Sequence, residues 1–493
     1  MNPALAHRTP AHLEPDPSRV VARLFLPGEQ AHQERSRVGG IADRVLALDE
    51  ADVERLAAEL TRGFGARHRD FSAVLIANAS IVAARVGDAC LTAARRLVLG
   101  ASVTAEYATE SAALCNPSAV EHPDQSGLGA GQLRVAVSLR AIGEGHISSI
   151  SFCEAVIGPG PRWSFIDREL PIVAGETAPA RWSNGQLRAV LADHGAIDEL
   201  GNTLLHDLPE HFDVVDLERV LAHAPGDLLT RLGGPATIDL VRRVVSSAYR
   251  VDFPADTALA QRVLRPSAAE ESDGMEDARF TRFVDEDGAV EYRATYTAYD
   301  GHQIAPRLML SPDLRQFRTY RLAGPAARNK GMALFPRPVN GRHLALCRTD
   351  GENISLASSP DGFLWSAPSL VYEPTSAWEV MQVGNCGPPI ETARGWLVLT
   401  HGVGPMRTYA IGAILLDLAD PGRVLGSLAR PLLEPDVSER DGYVPNVVYS
   451  CGGVLHDGRL WLPYGIDDSR IGVAWVDLDQ LLDELLARGR PSP

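Results

Sequence analysis

The sequence contains no Cys-x-x-Cys pair, no long apolar run and no excess of basic charge. Its six cysteines (Cys90, Cys115, Cys153, Cys347, Cys386 and Cys451) are far apart and follow no zinc-ligand spacing. They read as buried free thiols of a reducing cytoplasm. No apolar stretch approaches the length needed to span a bilayer, and residues 1–23 are polar without the apolar core of a secretory signal. A cytoplasmic protein with no membrane partner is expected. Lys and Arg number 47 against 63 Asp and Glu, a formal charge of −16. That balance provides no broad basic face for nucleic acid. An anionic ligand would have to be drawn in by a local basic cluster, whose field dominates within a Debye length of roughly 8 Å.

What is present is an ordinary globular composition, 45% hydrophobic and 22% charged over 493 residues, long enough for two or three structural units. Residues 20–27 read as a short strand and 28–40 as a charged loop. Residues 49–67 carry Val53, Leu56, Leu60 and Phe64 at helical spacing behind an acidic first turn, and 71–86 and 90–114 continue as Ala-rich helix. From Cys115 the pattern changes. Residues 133–139 and 147–152 alternate as two strands around a turn at 143–145. A second helical block follows at 184–194, 196–207, 216–222, 227–232 and 236–249. From 280 to 476 the chain is almost wholly short strands, and 477–487 closes as a helix. One repeat stands out: Ser311-Pro312-Asp313 before Phe317 and Ser359-Pro360-Asp361 before Trp365. A period of 40 to 50 residues in β sequence points to propeller blades, with a β-sandwich as the alternative.

The densest chemistry lies in Gly274-Met275-Glu276-Asp277-Ala278-Arg279. Two carboxylates and a guanidinium within four residues can hold an acid or base oriented and its pKa under control; a surface ion-pair cluster would look the same. Strand alternation would send Glu276 and Asp277 to opposite faces, one into a cleft and one into support. Further charged or polar residues end other strands: Arg328-Asn329-Lys330, Arg348, His401-Gly402, Tyr409 and Tyr464-Gly465-Ile466-Asp467-Asp468, with Pro388-Pro389 as a loop entering the same region. Each alone has a structural explanation.

Together with Asn116-Pro117, Leu139-Arg140-Ala141, Tyr296-Thr297-Ala298-Tyr299, Leu334-Phe335-Pro336, Gly387-Pro388-Pro389-Ile390, Gly395-Trp396-Leu397, Leu415-Leu416-Asp417-Leu418 and Val444-Pro445-Asn446-Val447-Val448, these runs resemble glycoside hydrolase family 130. That family comprises five-bladed β-propellers that include β-mannoside phosphorylases and some β-mannosidases. The matches occur in the family's order over about 115–153 and 270–485. The resemblance, taken with the helical patterns that lie outside it, implies a mainly β, five-bladed propeller carrying an N-terminal helical region and a helical insertion. It divides the chain into an N-terminal region (1–114), first propeller strands (115–179), the insertion (180–265), the remaining blades with the catalytic site (266–476) and a C-terminal helix and tail (477–493).

The resemblance also assigns roles. Asp277 falls on the catalytic acid of an inverting reaction that relays its proton through a sugar hydroxyl, so the paired carboxylates of ordinary inverting glycosidases are not required. Arg328, Asn329, Arg348, His401 and Tyr409 fall on the phosphate-holding positions, whose guanidinium forks match phosphate oxygens. Asn116, Arg140, Glu276, Arg279 and Asp468 fall on the sugar pocket. No metal or organic cofactor is implied; inorganic phosphate is a co-substrate, and the partner is a β-mannosyl oligosaccharide, with homo-oligomerisation open. Two departures stand out. The usual Asp-Pro-Arg is Asp277-Ala278-Arg279, and the lysine that phosphorylases carry before the Gly-Pro-Pro loop is Gln382, with Lys330 as a possible replacement cation. The expected activity is phosphorolysis to α-mannose 1-phosphate. The alternatives are a β-mannosidase, with Glu439 as a candidate base, and a non-catalytic glycan- or protein-binding propeller.

Overall fold

The computed structural model describes residues 5–26, 37–86 and 91–487. The expected first strand is Val20–Leu24. Pro27 at the end of the expected strand, residues 28–36 of the expected charged loop, the start of the helix expected from 90, and the tail beyond 487 lie outside the described residues. The end of that loop instead opens a helix, Arg37–Ala47.

The helix expected at 49–67 is Glu50–Phe64, started by Asp49, whose side chain accepts from the Asp52 N–H, and followed by a single tighter turn, Gly65–Arg67. Val53 and Ala57 face the core, whereas Phe64 is 40% exposed. Phe71–Val86 forms as expected. The next helix stops at Ala101, well short of 114. Val103 and Thr104 are β-branched, and from Thr104 the chain is a strand, Thr104–Ala108, paired antiparallel with Val20–Leu24.

The second helical block is five helices, Asn184–Asp193, Glu199–Asp207, Val214–His223, Gly226–Thr230 and Gly234–Ser247. Ser183, Asp198 and Asp213 cap the first three through their side chains. Trp182, Leu187, Leu204, Leu217 and Val241 give the block a core of its own, which packs on Tyr320 and Ala323 of the β region. Tyr249, expected to end the last helix, instead opens a strand, Tyr249–Asp252, paired with Gln316–Arg321.

The rest is mainly β. One twelve-stranded sheet contains Ala113–Glu121, Leu133–Ile142 and Ser148–Ile157, joined through the parallel pair Gly274↔Ser148 to Gly274–Val284, Val290–Tyr299, Ile304–Ser311 and Gln316–Arg321. A four-stranded sheet (Ala333–Leu334, His343–Cys347, Ile354–Ser359, Ser369–Tyr372) and two five-stranded ones follow. In the last sheet the partner of Arg470–Asp477 is the N-terminal segment Ala6–Leu13. The strand run expected at 280–476 is therefore present but starts at Gly274, and its final sheet is completed by residues that read as a polar lead-in. The two repeat copies are one turn used twice. Ser311 Oγ accepts from the Leu314 N–H and Asp313 from Arg315 and Gln316; Ser359 Oγ accepts from Gly362 and Asp361 from Phe363 and Leu364. Phe317 and Trp365, the aromatic residues that follow, are fully buried. The closing helix is Leu478–Ala487. Among the described residues no helix is long and apolar enough to cross a membrane.

Candidate active site

Asp277 sits within a strand, Gly274–Val284. Gly274–Val284 pairs with Val290–Tyr299, and the register slips between Glu276↔Thr297 and Arg279↔Thr295, so Asp277 and Ala278 together oppose one residue. This is a β-bulge. Asp277 adopts φ 55° within it. The same slip occurs in Ala113–Glu121, between Cys115↔Arg140 and Ser118↔Ser138, where Asn116 has φ 50° and Pro117 follows. The strand itself begins tightly: a Cβ at Gly274 (φ 149°) would lie 2.8 Å from the Ser148 Cβ.

The bulge overturns the expectation that Glu276 and Asp277 face opposite ways. Both carboxylates meet Arg140, Glu276 Oε1 at 2.7 Å from Nη2 and Asp277 Oδ1 at 3.6 Å from Nη1. Arg140 Nε donates to Ser148 Oγ at 2.9 Å, and Lys330 Nζ to Glu276 Oε2 at 2.7 Å. Asn116 Nδ2 donates to Asp277 Oδ1 at 2.5 Å. Burial alone would raise the Asp277 pKa, but Arg140, Arg279, the Asn116 hydrogen bond and Lys330 outweigh it and hold the carboxyl below its ordinary value. Asp468, at φ 49°, behaves oppositely. Burial, opposed by Arg140 and reinforced by Asp277, pushes it up to about 6.

Arg279 is 1% exposed and all three of its nitrogens are engaged. Nε donates to the Cys386 carbonyl (2.8 Å), Nη1 to the Asp277 carbonyl (2.7 Å) and Nη2 to Tyr449 Oη (2.9 Å). It clamps the backbone of the bulge. Tyr449, marked in sequence only by its place in a strand, lies 4.8 Å from the His401 ring, and Tyr409 stacks on that ring at 6.1 Å. Arg348 Nη1 donates to His401 Nε2 at 3.2 Å, and the Arg348 carbonyl accepts from Asn329 Nδ2 at 3.0 Å. Burial, with the Arg348 and Arg279 charges, keeps the His401 pKa well below its ordinary value, so the imidazole is neutral. Arg348 Nε is buried without a hydrogen-bond partner.

Of the sequence candidates, Asn116, Arg140, Glu276, Asp277 and Arg279 are joined by direct contacts, as are Asn329, Arg348, His401 and Tyr409; Tyr449 links the two groups. Asp468 reaches the first group through charge. Arg328 is exposed, and among the described residues it makes no hydrogen bond or ion pair. Lys330 is committed to Glu276. Gln382 starts a strand opposite Val403. Glu439 is engaged elsewhere: it takes Arg8 at 2.6 and 3.0 Å and Tyr464 Oη at 2.7 Å, fastening the N-terminal strand to the last sheet.

The family model described as beta-1,4-mannooligosaccharide phosphorylase (glycoside hydrolase family 130) matches residues 252–486. A 1,2-beta-oligomannan phosphorylase of Thermoanaerobacter sp. (strain X514) is 38% identical over 155 residues, 31% of this chain and 52% of its own. A beta-1,2-mannobiose phosphorylase of the same organism is 33% identical over 224 residues, 44% of this chain and 72% of its own. A beta-1,2-mannobiose phosphorylase of Listeria innocua is 32% identical over 220 residues, 43% and 60%. The chain thus spans about half the length of the first of these relatives.

Proposed function

The chain belongs to glycoside hydrolase family 130, and from that membership we propose that it is an inverting β-mannoside phosphorylase built as a five-bladed propeller. The sheets support five blades. Their first strands, Ala113–Glu121, Gly274–Val284, Ala333–Leu334, Gln382–Asn385 and Val448–Tyr449, include those that carry Asn116, Glu276, Asp277, Arg279 and Tyr449, whereas Arg140, His401 and Tyr409 lie on later strands, and Ala6–Leu13 completes the last blade beside Arg470–Asp477.

The observation that carries the activity is the unpartnered buried Nε of Arg348 beside neutral His401, linked through Tyr449 and Arg279 to the Asp277 bulge. A buried guanidinium donor without an acceptor suits an incoming oxyanion. Phosphate held by Arg348, Asn329, His401 and Tyr409, with Arg328 closing from the exposed side, attacks the anomeric carbon. The C–O bond to phosphate forms as the glycosidic C–O bond breaks. Asp277 supplies a proton through a sugar hydroxyl to the leaving oxygen, and the proton lost by hydrogen phosphate restores it. Asn116, Arg140 and Asp468 hold the mannosyl hydroxyls. Glu276 neutralises Arg140 and Lys330, and Arg279 fixes the bulge.

In the free protein Asp277 is held ionised by its cations. A bound phosphate dianion and the exclusion of water both push its pKa upward, so the acid is charged with its proton only in the ternary complex. The three relatives are named for β-1,2-linked mannosides, which makes β-1,2-mannobiose the first substrate to test. Given α-mannose 1-phosphate and mannose, the protein should release inorganic phosphate and form a β-mannobiose. Hydrolysis of β-mannobiose at a rate indifferent to phosphate would overturn this reading. It would favour a β-mannosidase, for which Asp468, near pKa 6 and within the field of Asp277, is a better base than the fully engaged Glu439.

A further inference from the structure

Arg23 and Arg265 come from distant parts of the chain and both lie against the Tyr107 ring, their guanidinium carbons 4.5 and 5.4 Å from its centroid. Two like charges at one ring repel, and in a chain of net charge −16 a carboxylate would be the ordinary neighbour. Among the described residues neither arginine forms an ion pair. Burial and the charge of Arg23 lower the Arg265 pKa, as expected for a cation short of an anion.

The two arginines line an open cleft of about 360 Å³, together with Ser149, Ser267 and Ser272. Ser149 is 1% exposed, and its Oγ has no hydrogen-bond partner. A buried hydroxyl left unpaired beside two unpaired guanidiniums is costly unless something accepts from all three. We propose that this cleft is a second anion site, distinct from the Arg348–His401 cluster, that takes a phosphoryl group or another tetrahedral oxyanion.

Its position gives it a consequence. Arg23 and Tyr107 belong to the N-terminal strand pair, Ser149 follows the Ser148 that holds Arg140, and residues 265–272 run directly into the strand bearing Asp277. An anion here ties the N-terminal region to the segment that leads into the bulge, whether its source is free phosphate or a sugar phosphate. The inference stands apart from the reading of Asp277 and Arg348.

Calorimetric titration of the full-length protein with inorganic phosphate tests it, with sulfate and α-mannose 1-phosphate as the other two arms. Two phosphates should bind per wild-type chain. Arg23→Gln and Arg265→Gln should each weaken one of them at least tenfold, leaving the other and the phosphate dependence of turnover unchanged. Arg348→Ala should leave this binding, and the rise in melting temperature that phosphate produces through it, intact. Ser149→Ala, a change too small to threaten folding, should weaken the same event several-fold. Tighter binding of α-mannose 1-phosphate than of phosphate at this site would identify a sugar phosphate as its ligand, and the reverse order free phosphate. Unchanged stoichiometry and affinity in Arg265→Gln and Ser149→Ala, or no anion response in the Arg348→Ala protein, would overturn the proposal. Failure of Arg348→Ala to alter phosphate use would instead count against the phosphorylase reading alone.

Discussion

Asn116 and Asp277 hold the same place in two strands of one sheet: each is the positive-φ residue of a β-bulge, and Asn116 Nδ2 donates to Asp277 Oδ1 at 2.5 Å. One bulge delivers the carboxylate and the other delivers the donor that orients it. Asp277→Asn keeps the shape and can still accept from Asn116, but it cannot transfer a proton. Turnover should fall by about 10²- to 10⁴-fold, the usual worth of general acid catalysis, with the melting temperature little changed. Near-wild-type phosphorolysis by this variant would move the acid to another residue.

The paired bulges also bear on Ala278. Pro117 occupies the equivalent place after Asn116, with the preceding residue at φ 50°, so proline fits this backbone. Ala278→Pro should therefore leave kcat unchanged and stabilise the fold by about 0.4–1 kcal/mol, by restricting the unfolded chain. A loss of stability in denaturant titration would mean that the Ala278 N–H is used in this bulge.

Arg348 should matter for phosphate more than for sugar. Hydrogen bonds to charged groups contribute about 1.5–3 kcal/mol, so Arg348→Ala should raise the phosphate KM by roughly ten- to a hundred-fold while the mannoside KM moves little. The same variant loses the cation that helps keep His401 neutral. The His401 pKa should accordingly rise, which an NMR titration of its ring protons would follow. Equal effects on both substrates would place Arg348 outside the phosphate site.

Asp468 makes a pH prediction with a definite sign. Its folded pKa of about 6 lies above the ordinary value of 3.8, so the folded state binds the proton more tightly than the unfolded chain. The resulting penalty is absent below about pH 4, grows as pH rises to about 6 and is constant above. Asp468→Asn removes it. The variant's stability advantage over wild type should be nil in acid and fully developed by neutral pH. An advantage independent of pH would show that Asp468 titrates normally.

The strands and the helices of the insertion were legible in local pattern, such as the alternation in 133–139, and short motifs around Asp277 and His401 picked out residues that the structure brings together. Three features were not. The convergence of Glu276 and Asp277 on Arg140 depends on a register slip against Val290–Tyr299, which no window of local sequence encodes. Ala6–Leu13 is an edge strand with only Ala6 buried, so its apolar signal is faint. Tyr449 gains its role from a fold that brings it between Arg279 and His401, and a tyrosine in a strand otherwise reads as packing.

Gln382 is the site's main departure from the family pattern, and the structure sharpens the test of it. Lys330, the candidate replacement, is tied to Glu276 at 2.7 Å, so its charge is already answered by a carboxylate. Gln382 opens the strand Gln382–Asn385 and pairs with Val403, two residues before Gly384, which pairs with His401, so a lysine there would lie on the His401 side of the proposed phosphate site. A charge about 4 Å from phosphate gains on the order of 4 kcal/mol at an intermediate effective dielectric, and desolvation offsets much of it. Gln382→Lys should lower the phosphate KM by about tenfold and leave the mannoside KM unchanged. If the phosphate KM rises instead, the added cation is repelled by Arg348 and Lys330, and the site already holds its full charge without position 382.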